Sequence, residues 1–427
     1  MGIYVLLGLF AFCVMIGTPV AFALGIAALS AFAFEGLPLM IGFQRIISGI
    51  NVNALLAIPF FIFAGDLMFH GGIAARLVRF ASAAVGAMRG GLGIVNVFSS
   101  MLFGGISGSA IADISALGSI LVPVMKEKGY DADYAVNVTV TSSIAGIIIP
   151  PSHNMIIYAI AAGTGVSISK LFLAGVVPGI LMCLCLALAA YLVAVKRGYR
   201  AEKFPGGAAL FYSFIGALPG LLTAFIIVGG VLSGIFTVTE SGAFGAVYAF
   251  LVTLIVYRAL SWKAFCTAVA SSVKTTSMVM ILIACAGAFA YMLTFYQVPQ
   301  KAVVLMTGIT DNPILILLMI NLVLLILGMI MDMAALILIC TPIFLPVANS
   351  LGIDPHQFGM ILLVNLGLGL CTPPVGSCLF VGCAVGKLPM EKAVRTIWPF
   401  YIAILLALML ITFVPAISLT LPNLVGG

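Results

Sequence analysis

The sequence predicts an all-α polytopic membrane protein made of two inverted repeats, and three observations lead to that fold class. Of the 427 residues, 63% are hydrophobic and 7% are charged, which is far less charge than a water-soluble surface needs. Apolar runs of about 20 residues, the length that crosses a bilayer as a helix, recur from end to end. Motifs of the first half also reappear in the second half at a fixed spacing. We therefore treat residues 1–427 as a single membrane domain.

Hydropathy divides the chain into full spans and two shorter re-entrant segments. The full spans are predicted near 4–30, 47–69, 132–163, 170–195, 212–234, 241–257, 275–296, 356–386 and 396–420. We interpret segments of about 91–127 and 312–350 as helical hairpins that enter the membrane and return to the same side. Segments 71–86 and 297–308 carry Arg or Lys among apolar residues, a pattern typical of amphipathic helices in the membrane interface.

The distribution of basic residues predicts the orientation of these spans. With the N-terminus in the cytoplasm, all but three of the 18 Lys and Arg residues fall in cytoplasmic loops. The exceptions are Arg45, Lys170 and Lys301. This is the positive-inside bias expected of a membrane protein. The C-terminus is then predicted on the opposite side.

The internal repeat holds one register, in which Pro346 follows Pro123 by 223 residues. At the same spacing Gly105 recurs as Gly328, Gly146 as Gly369 and Pro150-Pro151 as Pro373-Pro374. The register defines a first repeat at 47–195, with its hairpin at 91–127 and a broken helix at 132–163, and a second at 241–420, with its hairpin at 312–350 and a broken helix at 356–386. The two hairpins open to opposite sides, so the repeats are inverted, an arrangement found in many secondary transporters. A gene-duplicated channel is the alternative.

Each repeat has a Pro-Pro pair in the middle of an apolar run, at Pro150-Pro151 and Pro373-Pro374. Two adjacent prolines remove two backbone donors and clash with the preceding turn, so neither segment can be a continuous helix. At each break one half-helix directs carbonyl groups, and the other directs N–H groups, to the same place. That combination favours a cation and an anion side by side. A simple proline kink is the structural alternative.

Each hairpin also places polar residues within an apolar stretch. The first contains Ser107, Ser109 and Asp113, and the second contains Asp332 at the register position of Ser109. An ionisable residue inside the membrane is costly and is a functional candidate. Hydroxyls, carbonyls and a carboxylate form a hard oxygen site that suits Na⁺ better than Zn²⁺ or copper. For both aspartates a helix N-cap is the structural alternative.

Other motifs argue against enzymatic and nucleotide-dependent functions. The three histidines are scattered, and His70 and His356 lie at loop edges with no functional indication, while His153 beside the first break could contact a substrate or form a local hydrogen bond. No glycine-rich loop with a P-loop lysine is present, so we expect no nucleotide and no nucleic acid as partner. Thr237 and Glu240 have capping-box spacing, and we interpret them as structural.

Four segments together resemble the large membrane subunit of tripartite ATP-independent periplasmic (TRAP) transporters. They are GGISGSAIADISALGSILVPVMKEKGYD (104–131), SSIAGIIIPPSHNMIIYA (142–159), GIFTVTESGAFGAV (234–247) and NLGLGLCTPPVGSCLFVG (365–382). The resemblance implies the elevator fold of the ion-transporter superfamily. It also implies Na⁺-coupled import of an organic acid such as sialic acid or a C4-dicarboxylate.

The resemblance further implies partners, a location and site residues. The partners would be a small four-helix membrane subunit and a periplasmic substrate-binding protein, in a bacterial inner membrane with the C-terminus in the periplasm. A stand-alone ion-coupled carboxylate carrier that needs no binding protein is the alternative. The two implied sodium sites comprise Ser107, Ser109, Asp113 and Gly146, and Gly328, Asp332, Gly369 and Thr372. The expected substrate-binding residues are Pro150, Ser152, His153, Asn154, Pro373 and Ser377.

Overall fold

Helices account for almost all of the regular structure. The computed structural model describes residues 1–163 and 165–425, with Ile106 described by its backbone alone. Thr164, Gly426 and Gly427, which belong to the predicted 1–427 domain, lie outside the described residues. Within those residues, β pairing is limited to an isolated bridge between Arg89 and Ala201. The predicted all-α class is confirmed.

The first half contains twelve α-helices in the described residues. They are α1 (Gly2–Met15), α2 (Val20–Phe34), α3 (Leu39–Ile50), α4 (Ala57–His70), α5 (Ile73–Val85), α6 (Gly91–Ser107), α7 (Ala110–Asp113), α8 (Ser119–Glu127), α9 (Ala132–Ser142), α10 (Ala145–Ile148), α11 (His153–Ala162) and α12 (Ile168–Lys196). A 3₁₀ turn at Asn53–Leu56 leads into α4, and a π-helical turn at Ile114–Gly118 joins α7 to α8. Helices α6 to α8 occupy the predicted first hairpin.

The second half contains eleven α-helices in the described residues. They are α13 (Gly207–Leu232), α14 (Val238–Leu251), α15 (Trp262–Phe295), α16 (Val298–Ile309), α17 (Pro313–Gly328), α18 (Met333–Ser350), α19 (Pro355–Leu370), α20 (Ser377–Gly386), α21 (Met390–Thr396), α22 (Trp398–Phe413) and α23 (Pro415–Val425). Helices α17 and α18 occupy the predicted second hairpin. The capping box predicted at Thr237 and Glu240 is confirmed, with the Glu240 amide donating to Thr237 Oγ1 at 3.2 Å.

Besides the predicted span 47–69, which is divided between α3 and α4, two further predicted spans are divided in the structure. The segment 4–30 forms α1 and α2, because Gly17 adopts a left-handed conformation (φ +83°) and Pro19 cannot continue a helix. The segment 396–420 is divided between α22 and α23 just before Pro415. Hydropathy missed both divisions because the separating residues are few and the flanking runs are apolar. Among the described residues, six helices can cross a membrane alone by length and composition, and two bent pairs could each add one.

The repeat register aligns α15 with α3 and α4 together. Helix α15 is continuous over 34 residues, whereas its counterpart in the first repeat is interrupted between Ile50 and Ala57. The packing of these helices agrees with the register. Helix α15 packs on α3 near Gly49 and Gly287, and it packs on α4 near Asp66 and Ser272. We call helices α1–α4 and α13–α15 the scaffold.

The hairpins, the broken helices and α12 pack together into a second layer, which we call the hairpin body. Helix α6 packs on α9, α10 and α12, α17 packs on α19, and α12 also packs on α19 and α22. The two broken helices meet where Gly367 lies against Ile144, so closely that a Cβ on Gly367 would lie 2.8 Å from the Ile144 side chain. Small residues that allow such approach dominate helix packing in membranes, because lipid supplies little hydrophobic driving force between helices.

An ion-pair cluster lies at the end of α12, just before the linker to α13. Arg197 donates to both carboxylate oxygens of Asp133 at 2.8 Å and to Asp131 at 2.9 Å. The hydroxyl of Tyr199 donates to Asp131 at 2.7 Å. The hydrogen bonds to Asp133 raise the pKa of Arg197 above its usual value. This cluster joins the start of the linker to the N-terminus of α9, and therefore to the hairpin body.

Candidate functional site

Both Pro-Pro pairs interrupt a helix, as the sequence predicts. Helix α10 ends at Ile148 and α11 begins at His153, with a bend of 50° between the two parts of the span. Helix α19 ends at Leu370 and α20 begins at Ser377. The interruptions therefore span several residues, and a simple proline kink is excluded.

The tip of the first hairpin lies directly against the first break. Gly104 and Gly146 are in backbone contact, and a Cβ on Gly104 would lie 2.5 Å from the Gly146 Cα. Ser107 Oγ and the Ser109 backbone lie beside the same face of Gly146, each with an atom 3.7 Å from the position of a Cβ there. Ser109 caps α7, accepting a hydrogen bond from the Ala112 amide. Ser107, Ser109 and Gly146 thus meet at one junction.

Asp113 lies further inside the hairpin. Its amide donates to the Ser109 carbonyl at 3.0 Å, and its side chain is 1% exposed. Ser100 on α6 is a side-chain neighbour. Neither carboxylate oxygen has a hydrogen-bond partner among the described residues. The N-cap alternative for Asp113 is wrong, because Ser109 occupies that position.

The second hairpin meets the second break in the same way. A Cβ on Gly369 would lie 2.6 Å from the Gly328 Cα, and the Val375 amide donates to the Met329 carbonyl at 3.1 Å. Asp332 is the N-cap of α18 and accepts from the Ala334 amide at 3.0 Å, so its N-cap alternative is confirmed. A cavity of about 160 Å³ lies at this junction, lined in part by Gly328, Asp332 and Ser377.

Thr372 lies at the end of α19 in the second break. Its hydroxyl donates to the Leu368 carbonyl at 2.7 Å, and its amide donates to the Gly369 carbonyl at 2.9 Å. The Ser377 hydroxyl is buried and has no hydrogen-bond partner among the described residues. Gly328, Asp332, Gly369 and Thr372 therefore lie around one junction, although Thr372 and Gly369 do not line its cavity.

A larger cavity separates the first hairpin tip from the scaffold. It measures about 420 Å³ and is lined on the hairpin-body side by Ser107, Ser109, Ser115 and His153. Its scaffold side includes Asp66 and His70 from α4, and Ser271 and Thr275 from α15. Its volume lies in the range of small-molecule sites. This cavity is the candidate substrate site.

The predicted substrate-binding residues are dispersed in the structure. Of the six, His153 alone lines this larger cavity, and Ser377 lines the smaller one at the second junction. Ser152 and Asn154 are buried with 0% and 6% exposure. Pro150 is buried and Pro373 is half-buried, and neither lines these two cavities.

Sequence reasoning missed two residues of the cavity wall, Asp66 and His70. Ser272 Oγ donates to Asp66 Oδ2 at 2.7 Å, and His70 Nδ1 lies 2.9 Å from the Asp66 carbonyl oxygen. A signal for Asp66 was present, since it is an acidic residue inside the apolar run AIPFFIFAGDLMFH. His70 is the last residue of α4 before the turn at Gly71, so its predicted place at a loop edge agrees with the structure, and it also lines the cavity.

Solved structures with a similar fold are themselves transporters. One is the YdaH transporter of Alcanivorax borkumensis, with a TM-score of 0.64, 13% identity and 88% of each chain covered. Another is MtrF of Neisseria gonorrhoeae, described as illuminating a class of antimetabolite efflux pumps, with a TM-score of 0.59, 14% identity, and 88% of this chain and 84% of that one covered. This chain therefore shares the fold of these two structures.

Sequence comparison then gives the family. Residues 7–417 match the model of the tripartite ATP-independent periplasmic transporter, DctM component, and the chain belongs to this family. It is 44% identical over 377 residues, 87% of each chain, to the C4-dicarboxylate TRAP transporter large permease DctM of Pseudomonas aeruginosa. It is 38% identical over 413 residues, 96% of each chain, to the sialic acid TRAP transporter large permease SiaM of Vibrio cholerae. The predicted resemblance is confirmed, and the chain is a transporter permease and not an enzyme.

Proposed function

We propose that this chain is the large permease of a sodium-driven importer, which takes up an organic acid delivered by a periplasmic binding protein. The observation that carries the proposal is the duplicated junction of a polar hairpin tip with a broken helix. Each junction has a glycine–glycine backbone contact, at Gly104 with Gly146 and at Gly328 with Gly369. Two ions of the same kind would then be held at equivalent places in the two repeats.

The donor groups at both junctions fit Na⁺. The first offers the hydroxyls of Ser107 and Ser109 with backbone carbonyls near Gly146, and the second offers the carboxylate of Asp332 with carbonyls near Gly369. These are hard oxygen donors. When bound, sodium supplies positive charge beside the helix ends and holds each tip against its break. The Asp113 carboxylate has no hydrogen-bond partner among the described residues, so its place in the first sodium site stays a prediction.

An elevator movement of the hairpin body against the scaffold accounts for the two layers. The larger cavity lies between these layers, so a displacement of one against the other would open it to either side. Because inverted repeats share one architecture in opposite orientations, the same chain can form two similar conformations, one open to each side of the membrane. The interface itself is apolar, for example where Phe61 of α4 contacts Phe172 of α12 with ring centroids 6.4 Å apart, and an apolar interface carries few hydrogen bonds that would have to break during sliding.

Relatives support an organic acid as substrate and the tripartite assembly. Besides the two permeases above, a relative 35% identical over 416 residues is the 2,3-diketo-L-gulonate permease YiaN of Escherichia coli. Another is a fused isethionate permease DctMQ, of which this chain covers 65%. We propose a small membrane subunit bound to the scaffold, a periplasmic binding protein, and an inner-membrane location with the N-terminus in the cytoplasm and the C-terminus in the periplasm.

Uptake into proteoliposomes tests the proposal. The vesicles contain this chain with its small subunit, and uptake of succinate, N-acetylneuraminate and gluconate is measured with an inward sodium gradient, with and without the cognate binding protein. We expect uptake of at least one acid that requires both sodium and the binding protein. Sodium-driven uptake without the binding protein would identify a stand-alone carrier. Uptake that is indifferent to sodium would overturn the coupling proposal.

A further inference from the structure

The three ionisable residues that line the larger cavity have no polar counterpart in the other repeat. The register places Phe289 opposite Asp66, Leu293 opposite His70 and Gly376 opposite His153. Those counterparts are apolar or lack a side chain. Ion binding is proposed at both junctions and is therefore a duplicated property. Recognition of the substrate is a property that the two repeats need not share.

The structure brings these three residues to one place. Asp66, His70 and His153 all line the cavity of about 420 Å³, although they come from two different layers. All three are half-buried, so each side chain is partly accessible from the cavity. Ser272 holds the Asp66 carboxylate from behind at 2.7 Å, and Ser272 does not itself line the cavity.

The chemistry of the wall defines what can bind. Among the described residues that line the cavity none is Lys or Arg, and Asp66 brings a negative charge. The one cation proposed beside this wall is the sodium ion at Ser107 and Ser109, which lies at the hairpin tip next to His153 and can balance a single ligand carboxylate there. A second carboxylate would face the Asp66 charge without a Lys or Arg partner, whereas hydroxyl groups could donate to Asp66. Five further hydroxyl side chains complete the wall, Ser107, Ser109, Ser115, Ser271 and Thr275. One carboxylate can bind near His153, the first residue of α11, where helix N–H groups favour an anion.

We propose that this cavity selects a hydroxylated monocarboxylic acid, with Asp66 and His70 accepting and donating hydrogen bonds to its hydroxyls and His153 lying beside its carboxylate. The inference rests on the proposed function, since it names the substrate class of the same transport site. The proposal predicts that the permease itself discriminates among organic acids, independently of the binding protein.

Four six-carbon acids test separately the need for hydroxyl groups and the need for a single carboxylate. Gluconate has hydroxyls and one carboxylate, hexanoate has one carboxylate alone, galactarate has hydroxyls and two carboxylates, and adipate has two carboxylates alone. Binding to the complex of this chain and its small subunit in nanodiscs is measured by calorimetry in sodium chloride and in choline chloride. We expect gluconate to bind in sodium about tenfold or more tightly than the other three, because a site built for hydroxyls leaves polar groups unpaired when they are missing.

Variants of Asp66 test the role of the wall charge. Asp66→Asn keeps hydrogen-bonding capacity and removes the charge, so galactarate should come within about threefold of gluconate. Asp66→Leu should remove the preference for gluconate over hexanoate. The matched control is Asp311→Asn, which alters an exposed aspartate in the turn before α17 and should leave all four affinities unchanged. If Asp66→Asn does not fold, His153→Gly, which installs the residue of the second repeat, should weaken gluconate binding about tenfold.

Different experimental results would overturn this inference and the proposed function. Adipate or galactarate binding as tightly as gluconate, an Asp66→Asn variant with unchanged selectivity, or no binding of any of the four acids would overturn the inference. The proposed function would still stand if the proteoliposomes showed uptake requiring sodium and the binding protein. Absence of sodium-driven uptake for every acid would overturn the proposed function itself.

Discussion

At the scale of single residues, Asp332 has an observed role and a proposed role that substitution can separate. Its carboxylate caps α18 through the Ala334 amide, and we propose it as a sodium ligand because it is the one charged group among the described residues that line the small cavity at the second junction. A capping residue can be exchanged for Asn at little cost in helix stability. Asn cannot replace Asp as a charged sodium ligand, because the Asn amide carries no charge.

The first prediction follows from that separation. Asp332→Asn should retain the melting temperature of the parent within about 2 °C, since Asn caps as well as Asp. Sodium-driven uptake in proteoliposomes should fall about tenfold or more, because even outer-shell changes at ion sites cost that much. Asp332→Ala should lower both the melting temperature and uptake. Normal uptake by Asp332→Asn would remove Asp332 from the sodium site.

At each of the two junctions the glycines lie so close together that one added Cβ atom would push the backbones apart. Gly369→Ala would place a Cβ 2.6 Å from the Gly328 backbone, and the tip would have to separate from the break. We expect a loss of stability of about 1–3 kcal/mol, measured by thermal unfolding in detergent, and loss of sodium-dependent uptake. Gly308→Ala is the control, because no atom lies within 4 Å of a Cβ there. Equal effects of both substitutions would contradict the close-contact explanation.

At the scale of helices, the clamp formed by Arg197 fixes the end of α12. A guanidinium can bridge both oxygens of Asp133 at once, and a lysine ammonium cannot. Arg197→Lys should therefore destabilise the protein by about 1 kcal/mol, seen as a lower melting temperature. Arg200→Lys alters an exposed arginine of the same linker and should have no effect. An unchanged melting temperature for Arg197→Lys would mean that the paired hydrogen bonds contribute nothing to stability.

Local chemistry explains which elements could be predicted from the sequence. Pro150-Pro151 and Pro373-Pro374 break helices whatever surrounds them, so the breaks were predictable. Buried polar residues at the hairpin tips were equally visible. Gly17 and Pro19 divide the first apolar run into α1 and α2, but averaging hydropathy over about 20 residues conceals so short an interruption.

Tertiary packing explains what the sequence could not reveal about the site. Asp66 and His153 share a cavity because α4 and α11 approach each other from different layers, and no local pattern encodes that approach. Ser152 and Asn154 flank His153 in sequence but are turned into the core. The repeat register could have indicated Asp66, because its counterpart Phe289 is apolar.

At the scale of the whole molecule, the elevator proposal requires the two layers to move past each other. Phe61 and Phe172 lie on opposite sides of this interface. Replacing both with cysteine, in a background in which the exposed Cys266 is serine, should allow a reversible bifunctional thiol reagent to join the layers. Uptake should then fall to background and recover on reduction. The single-cysteine variants are the controls, and full uptake by the cross-linked protein would contradict movement at this interface.

The unbroken α15 has a consequence for the energetics of the transport cycle. Two identical inverted repeats would make the inward-facing and outward-facing forms equivalent by a two-fold rotation, and equal in free energy, in the absence of ligands and membrane potential. Helix α15 is one continuous helix of about 51 Å at helical rise, whereas α3 and α4 are separated by a break. The inward-facing and outward-facing forms therefore differ in free energy. Since each 1.4 kcal/mol changes a two-state ratio about tenfold, modest sequence divergence between the repeats is enough to set which face the empty transporter presents at rest.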